Sequence, residues 1–208
     1  MKKIKMISNN YTGKLIVFEG PDGSGKTTLM GIAKEYLDCV GLNCCLVKMP
    51  SNRVRNLNLF QNLDISNDIR ERNAVSLFNM TVFVSGDRLI TMDTEIMPAL
   101  KRGEIVLCDR YCYTGYVRCN DNIIFKLCKR FIRPNLTILL EASAEVLKNR
   151  VKSRENEKEL FYDDDNVKLQ IKRFRSLAQK NNFKIVNTEQ SQSLINETLY
   201  SFLNKIIN

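Results

Sequence analysis

The stretch LIVFEGPDGSGKTTLM, Leu15 to Met30, decides the fold. It opens with an apolar run of strand character, passes through the turn GPDGSGKT, Gly20 to Thr27, and continues into residues of helical pattern from Lys26 to Cys39. The turn fits G-x-x-x-x-G-K-[ST] at every defined position, with a strand before it and a helix after it. Glycines let the backbone curl so that successive N–H groups converge on an anion, and the helix N-terminus adds partial positive charge. Lys26 then reaches the β and γ phosphates of a nucleoside triphosphate, and the Thr27 hydroxyl is the expected Mg²⁺ ligand.

Working outward, four more apolar runs follow: Cys44 to Val47, Ile105 to Cys108, Leu136 to Leu140 and Phe183 to Val186. Near-continuous apolar runs suit strands buried on both faces, and their alternation with helical stretches implies a parallel sheet with right-handed crossovers. The expected fold is a three-layer α/β architecture. Helices are predicted at Ala74 to Lys101 (one or two), Asn120 to Phe131, Ser143 to about Glu155, Asp165 to Asn181 and Ser193 to Ile207, on apolar spacing of three and four. Neither a fixed-period repeat nor a low-complexity linker interrupts the 208 residues, so one domain is expected.

Composition narrows the chemistry. With 44% hydrophobic and 26% charged residues the chain is neither disordered nor collagenous, and it has no apolar run of the length a membrane helix needs. The start, MKKIKMISNNYTGK, lacks the apolar core of a secretory signal and reads as a polar lead-in, so the expected address is cytoplasmic. The formal charge of +9 favours polyanionic partners: nucleic acid, acidic membrane or phosphorylated small molecules. Seven cysteines without a CxxC pair read as reduced thiols, and the absence of His removes the usual zinc spacings, a Ser-His-Asp triad and any histidine base.

A phosphate loop leaves the reaction open. No NKxD string for guanine is present, and there is little room for the second lobe of a motor. Asp109 closes the third apolar run and is followed at once by Arg110 and Tyr111, where an acid serves the metal and a cation reaches a transferring phosphoryl group. That arrangement favours a kinase.

Four segments, VFEGPDGSGKTT, SGDR (Ser85 to Arg88), MPALKRGEIVLCDRY (ending at Tyr111) and RPNLTILLEASAEVLKNRVKSR (Arg133 to Arg154), together resemble the thymidylate kinase family of nucleoside monophosphate kinases along nearly the whole chain. The resemblance implies a P-loop NTPase fold with a five-stranded parallel sheet, a homodimer, and transfer of the ATP γ-phosphoryl group to a deoxynucleoside monophosphate, with dTMP becoming dTDP, in the presence of Mg²⁺. It assigns ATP to Gly20, Pro21, Asp22, Gly23, Ser24, Gly25, Lys26, Thr27 and Thr28, and the metal to Thr27 and Asp109. Asp22 would touch the acceptor sugar or organise the phosphates. Lys48 stands where the family has an acceptor-phosphate arginine, and Arg88 and Arg110 match the pair holding that phosphate. Tyr111 and Thr114 follow on the acceptor side.

The family's lid follows the fourth strand, here around residues 142–165. Arg150 and Arg154, four apart on one helical face, would swing over the phosphates and join Lys26, Asp22 and Arg110 as catalytic groups. Tyr162 and Asp163 align with an aromatic-acid pair of the lid. The chain departs from the family at the base pocket, where Val84, beside Phe83, takes the place of a stacking Phe, and Arg118 with Cys119 that of a Tyr-Gln pair. Two other readings therefore stay open: the same chemistry on another nucleotide or phosphorylated metabolite, and a nucleotide-dependent protein acting on nucleic acid through Lys126, Lys129, Arg130 and Arg133.

Overall fold

The computed structural model describes residues 1–57, 65–66, 75–153 and 164–207. Strand β1 (Lys14–Glu19) leads through the loop into α1 (Lys26–Cys39), then β2 (Cys44–Lys48) and a single turn α2 (Asn52–Arg55). Two-residue strands β3 (Ile65–Ser66) and β4 (Val75–Ser76) pair with each other ahead of α3 (Leu77–Thr91), a π-helical turn (Met92–Ile96) and α4 (Met97–Lys101). The remainder is β5 (Ile105–Asp109), α5 (Cys112–Cys119), α6 (Asn122–Cys128), β6 (Leu136–Glu141), α7 (Ala144–Lys152), α8 (Asp164–Asn181), β7 (Lys184–Asn187) and α9 (Gln192–Ile207).

The main sheet has five parallel strands in the order β2-β5-β1-β6-β7, as expected. Because side chains alternate across a strand, Leu15 and Val17 of β1 enter one core layer with Ile96, Leu100, Tyr111, Phe131 and Phe174, while Ile16 and Phe18 enter the other with Leu29, Leu37, Leu199 and Leu203. Helices thus cover both faces. Of the strands in this sheet, β5 is buried throughout, and β1 and β6 are buried except at the end residues Lys14 and Glu141. The expectation of full burial fails at β2 and β7, where Leu46 and Ile185 are exposed because these strands form the sheet edges.

Other differences have local causes. The helix expected from Asn120 starts at Asn122, because the Asp121 carboxylate caps it by accepting from the Ile123 and Ile124 N–H groups. Ser143 caps α7 from outside, its hydroxyl accepting from Val146 N–H at 3.4 Å. Helix α5 was not expected, since its sequence CYTGYVRC holds a glycine and several poor helix formers. It forms because the buried Glu19 carboxylate accepts from its leading N–H groups, those of Tyr111 at 2.8 Å and Thr114 at 3.3 Å. The opening residues, read from the sequence as a polar lead-in, also carry apolar side chains that pack on the domain. Ile4 is buried with its N–H on Asn181 at 2.8 Å, and Ile7 bridges Ile132.

Candidate active site

The loop between β1 and α1 is closed by contacts that demand its glycines. Gly23 has φ +79°, and a Cβ there would stand 2.7 Å from the Leu147 carbonyl oxygen. The Lys26 ammonium, 7% exposed, folds back to donate to the carbonyl oxygens of Gly20 (3.0 Å) and Pro21 (2.7 Å) and to Ser24 Oγ (3.3 Å). Burial, followed by the like charge of Arg110, lowers its pKa to about 7 against the pull of Asp22, Asp109 and Glu19. Thr27 and Thr28 open α1 with exposed side chains.

Across the loop stands Arg110, whose backbone is held at φ +67° by its N–H bond to the Phe18 carbonyl at 2.9 Å. Its guanidinium donates to Gly20 O at 3.0 Å and to Thr114 Oγ1 at 3.4 Å, and forms a short ion pair with Asp22. The second Asp22 oxygen receives Arg118 Nη2 at 3.2 Å. Burial pushes the Asp22 carboxyl up, but Arg110, Arg118 and Lys26 outweigh it and hold the group well below the ordinary carboxylate range. Behind them Thr114 Oγ1 donates to Glu19 Oε2 at 2.6 Å. Burial raises the Glu19 pKa, opposed by that hydrogen bond and by Arg110 and Arg88.

Arg88 comes from α3 and differs from its neighbours. It is 3% exposed, its Nε finds no hydrogen-bond acceptor, and no carboxylate among the described residues pairs with it. Burial lowers its pKa to about 10. Gly115 of α5 makes room for it, since a Cβ there would lie 3.1 Å from Arg88 Nη1 and 3.1 Å from Thr81 Cγ2. Beside it Asp87 ties α3 to the segment after β2, accepting from Ser51 N–H at 2.7 Å and Ser51 Oγ at 2.5 Å. Val84 lies buried on the same helix face, whereas Phe83 is exposed. Cys119 donates to Thr81 Oγ1 at 3.0 Å, joining α5 to α3 in this wall.

Lys26, Asp22, Arg110 and Thr114 are therefore brought together as the sequence suggested, with Arg88 alongside. Other expectations change. Tyr111 does not reach a pocket: its ring is fully buried against Phe131 and its hydroxyl donates to the Ile132 carbonyl at 2.9 Å, because its neighbour Arg110 turns the chain into the core. Lys48 ends the edge strand with an exposed side chain, paired in register with Asp109. Arg150 does not extend over the loop but donates to Thr188 Oγ1 at 3.0 Å and Thr188 O at 2.7 Å. There it borders a cleft of about 340 Å³ shared with Gly23, Thr28 and Gln192. Arg154, Tyr162 and Asp163 lie outside the described residues. Glu19 went unnoticed in the sequence, where its one signal is an acid ending an otherwise apolar strand.

Asp109 is 4% exposed and its Oδ1 has no hydrogen-bond partner, an orphaned oxygen beside the loop. Among the described residues no three acidic, Cys or His groups gather into a metal cage. One such oxygen and the Thr27 hydroxyl fit an ion that takes most of its ligands from phosphates and water, as Mg²⁺ does.

Comparison with known proteins agrees with this geometry. The family model for thymidylate kinase matches residues 18–199. A probable thymidylate kinase of Pyrococcus abyssi is 29% identical over 200 residues, covering 92% of this chain and 96% of that protein. Thymidylate kinases of Desulfotalea psychrophila and Pelobacter propionicus are 31% and 30% identical, covering 72% and 68% of this chain and 73% and 67% of their own lengths. With its phosphate loop, its arginine cluster and a match over most of its length, the chain belongs to the thymidylate kinase family.

Proposed function

We propose that this protein transfers the γ-phosphoryl group of ATP to dTMP, giving dTDP, with Mg²⁺ as the metal. As a family member it is a kinase that uses nucleotides as small-molecule substrates. The observation that carries the acceptor assignment is Arg88, a buried guanidinium beside Arg110 with which no carboxylate among the described residues forms an ion pair. A buried cation that is not hydrogen-bonded to an anion is costly, and a phosphomonoester dianion would compensate it.

The available groups also suit a phosphate better than a hydroxyl as nucleophile. The chain has no His, Asp22 is held ionised by two guanidiniums, and Glu19 is locked onto Thr114. An acceptor that arrives with an ionised oxygen needs no base. Lys26 then leaves its carbonyl partners for the donor phosphates, Arg110 and Arg88 hold the acceptor phosphate in line, and Asp22 organises the guanidiniums between them. Thr27 and Asp109 would hold Mg²⁺, which neutralises charge on the β and γ phosphates when bound. The cleft at Arg150 and Thr188 lies where the donor base would leave the loop, so Arg150 is assigned to the base rather than the phosphates.

The proposal extends to a lid at 142–165, a homodimer and a cytoplasmic location, the last supported by seven cysteines that are all free thiols. No helix among the described residues is long and apolar enough to cross a membrane. The test is ADP formation from ATP and Mg²⁺ with dTMP, dUMP, dCMP, dGMP, dAMP and their ribose forms. A strong preference for dTMP is expected. Preference for another monophosphate would move the specificity to the pocket around Val84, Arg118 and Cys119, and silence across the panel would overturn the kinase reading.

A further inference from the structure

The phosphate loop and Arg110 lie where strands of the main sheet end. A second cavity, of about 240 Å³, opens at the opposite edge, where β6 and β7 begin. The far end of β6 reaches the loop, since a Cβ on Gly20 would stand 2.5 Å from the Leu140 carbonyl oxygen. The six residues of β6 therefore separate the two places by roughly 16 Å at the ordinary strand rise. Nothing in the phosphoryl transfer uses this cavity.

Three cations line it: Arg133 just ahead of β6, Lys184 at the start of β7 and Lys205 in the last turn of α9. All three side chains are exposed, and none has a hydrogen bond or ion pair with another residue. No Asp or Glu among the described residues lines the cavity. Helix dipoles explain only part of this. The ends of α8 and α9 border the cavity, and a helix C-terminus carries about half a negative charge, so together they offset about one of the three cations. About two positive charges remain over.

The rim is also fixed in place. Arg133 N–H bonds the Ile7 carbonyl oxygen at 2.6 Å, Asn135 N–H bonds that of Leu15 at 2.9 Å, and Pro134 stiffens the chain between them. The Asn135 side-chain oxygen accepts from Leu15 N–H at 2.9 Å and Asn9 Nδ2 at 2.8 Å, which leaves its NH₂ group as a further donor with no acceptor among the described residues. Tyr113 and Phe202 give the cavity an apolar side.

We propose that this cavity is a second phosphate-binding site, which takes a doubly charged phosphate group, free or as the head of a small phosphomonoester, between Arg133, Lys184 and Lys205. The leftover charge matches a phosphate dianion, and a guanidinium with two ammonium groups and an amide suits its oxygens. Ligand pockets for whole drug-sized molecules begin at roughly 300 Å³, so the phosphate sits inside and an organic part is small or lies at the mouth. A concave site of this size admits one phosphate rather than a run of them, which sets it apart from a groove for nucleic acid. The site does not depend on which acceptor the kinase uses.

Calorimetry on the full chain tests this, with the loop and acceptor side filled by a non-hydrolysable ATP analogue, Mg²⁺ and dTMP. The probes are inorganic phosphate and phenyl phosphate at constant ionic strength, with acetate as the control anion. One further phosphate per chain is expected to bind. Arg133→Gln and Lys205→Gln should each weaken it about 10-fold, the loss of one charge-assisted contact, while affinity for the ATP analogue is unchanged. Should either variant fail to fold, Lys184→Gln carries the test with the same expected loss. If dTMP does not fill the acceptor side, the loss in Arg133→Gln still identifies this cavity, because Arg133 lies a strand's length from the loop. Tighter binding of phenyl phosphate would support the proposal and assign the site to an organic phosphomonoester; equal or weaker binding would support it and assign the site to free phosphate. Absence of further binding in the wild type, binding that the Gln variants leave unchanged, or equal binding of acetate would each overturn it.

Discussion

The two sides of the site are built from opposite materials. On the donor side the loop is a backbone device: Lys26 has three oxygen partners within the loop itself, and the chain path is fixed by close approaches to the carbonyls of Leu140 and Leu147. On the acceptor side the elements are side chains from three separate places, Arg88 of α3, Arg110 after β5 and Arg118 of α5, and Arg88 has no ion pair with a carboxylate among the described residues. The donor side is satisfied before its ligand arrives, while the acceptor side is completed by it. Removing a charge should therefore have different consequences on the two sides, and the following measurements test that contrast.

The largest effect is expected from Lys26→Ala, about 10³-fold in turnover with folding preserved, since phosphoryl transfer is mostly positioning and charge neutralisation. Near-wild-type rates would remove Lys26 from the chemistry. Arg88→Met should split function from stability. Acceptor kcat/KM is expected to fall about 10²-fold, yet the protein should gain about 1–3 kcal/mol because a buried cation with no ion pair among the described residues is replaced by an apolar group. Thermal unfolding that shows a loss of stability instead would mean that Arg88 has a structural anion.

Lys26 also makes the donor side pH-sensitive. Its pKa of about 7 in the free protein lies below the unfolded value of 10.5. Above pH 7 the unfolded chain binds the extra proton, so Lys26 contributes stability that grows as pH rises toward 10.5. Donor phosphates favour the charged amine, so nucleotide binding should take up a proton above pH 7 and weaken as pH rises. Calorimetry in two buffers of different ionisation enthalpy reads this uptake directly, and Lys26→Met should abolish it. The smallest effect is expected from Gly115→Ala. Its methyl group would press on Arg88 Nη1 and Thr81 from 3.1 Å, raising acceptor KM a few-fold with no loss of stability, because alanine favours a helix by about 0.5–1 kcal/mol.

The same contrast explains what could be read from the sequence. The phosphate loop is legible because its geometry depends on consecutive residues, glycines at positive φ and a lysine at fixed spacing. The five strands were legible from their apolar runs, and their ends shifted by only a residue or so. Helix α5 was hidden because its stability comes from Glu19, distant in sequence at the end of β1. The Asp22–Arg118 pair joins residues 96 apart and leaves no local pattern. Arg150 shows the same lesson in reverse: its helical spacing is real, but Thr188, 38 residues away, decides where its guanidinium rests.

The central claim is that the buried guanidiniums of the acceptor side, Arg88 foremost, select an acceptor that is already phosphorylated. Calorimetric titration of the wild-type protein with dTMP and with thymidine, at neutral pH and in the presence of a non-hydrolysable ATP analogue, tests it most directly. dTMP is expected to bind at least about 100-fold more tightly than thymidine, as loss of several charge-assisted contacts requires. Equal affinity for the two would contradict it and turn the acceptor side into a site for an uncharged nucleoside.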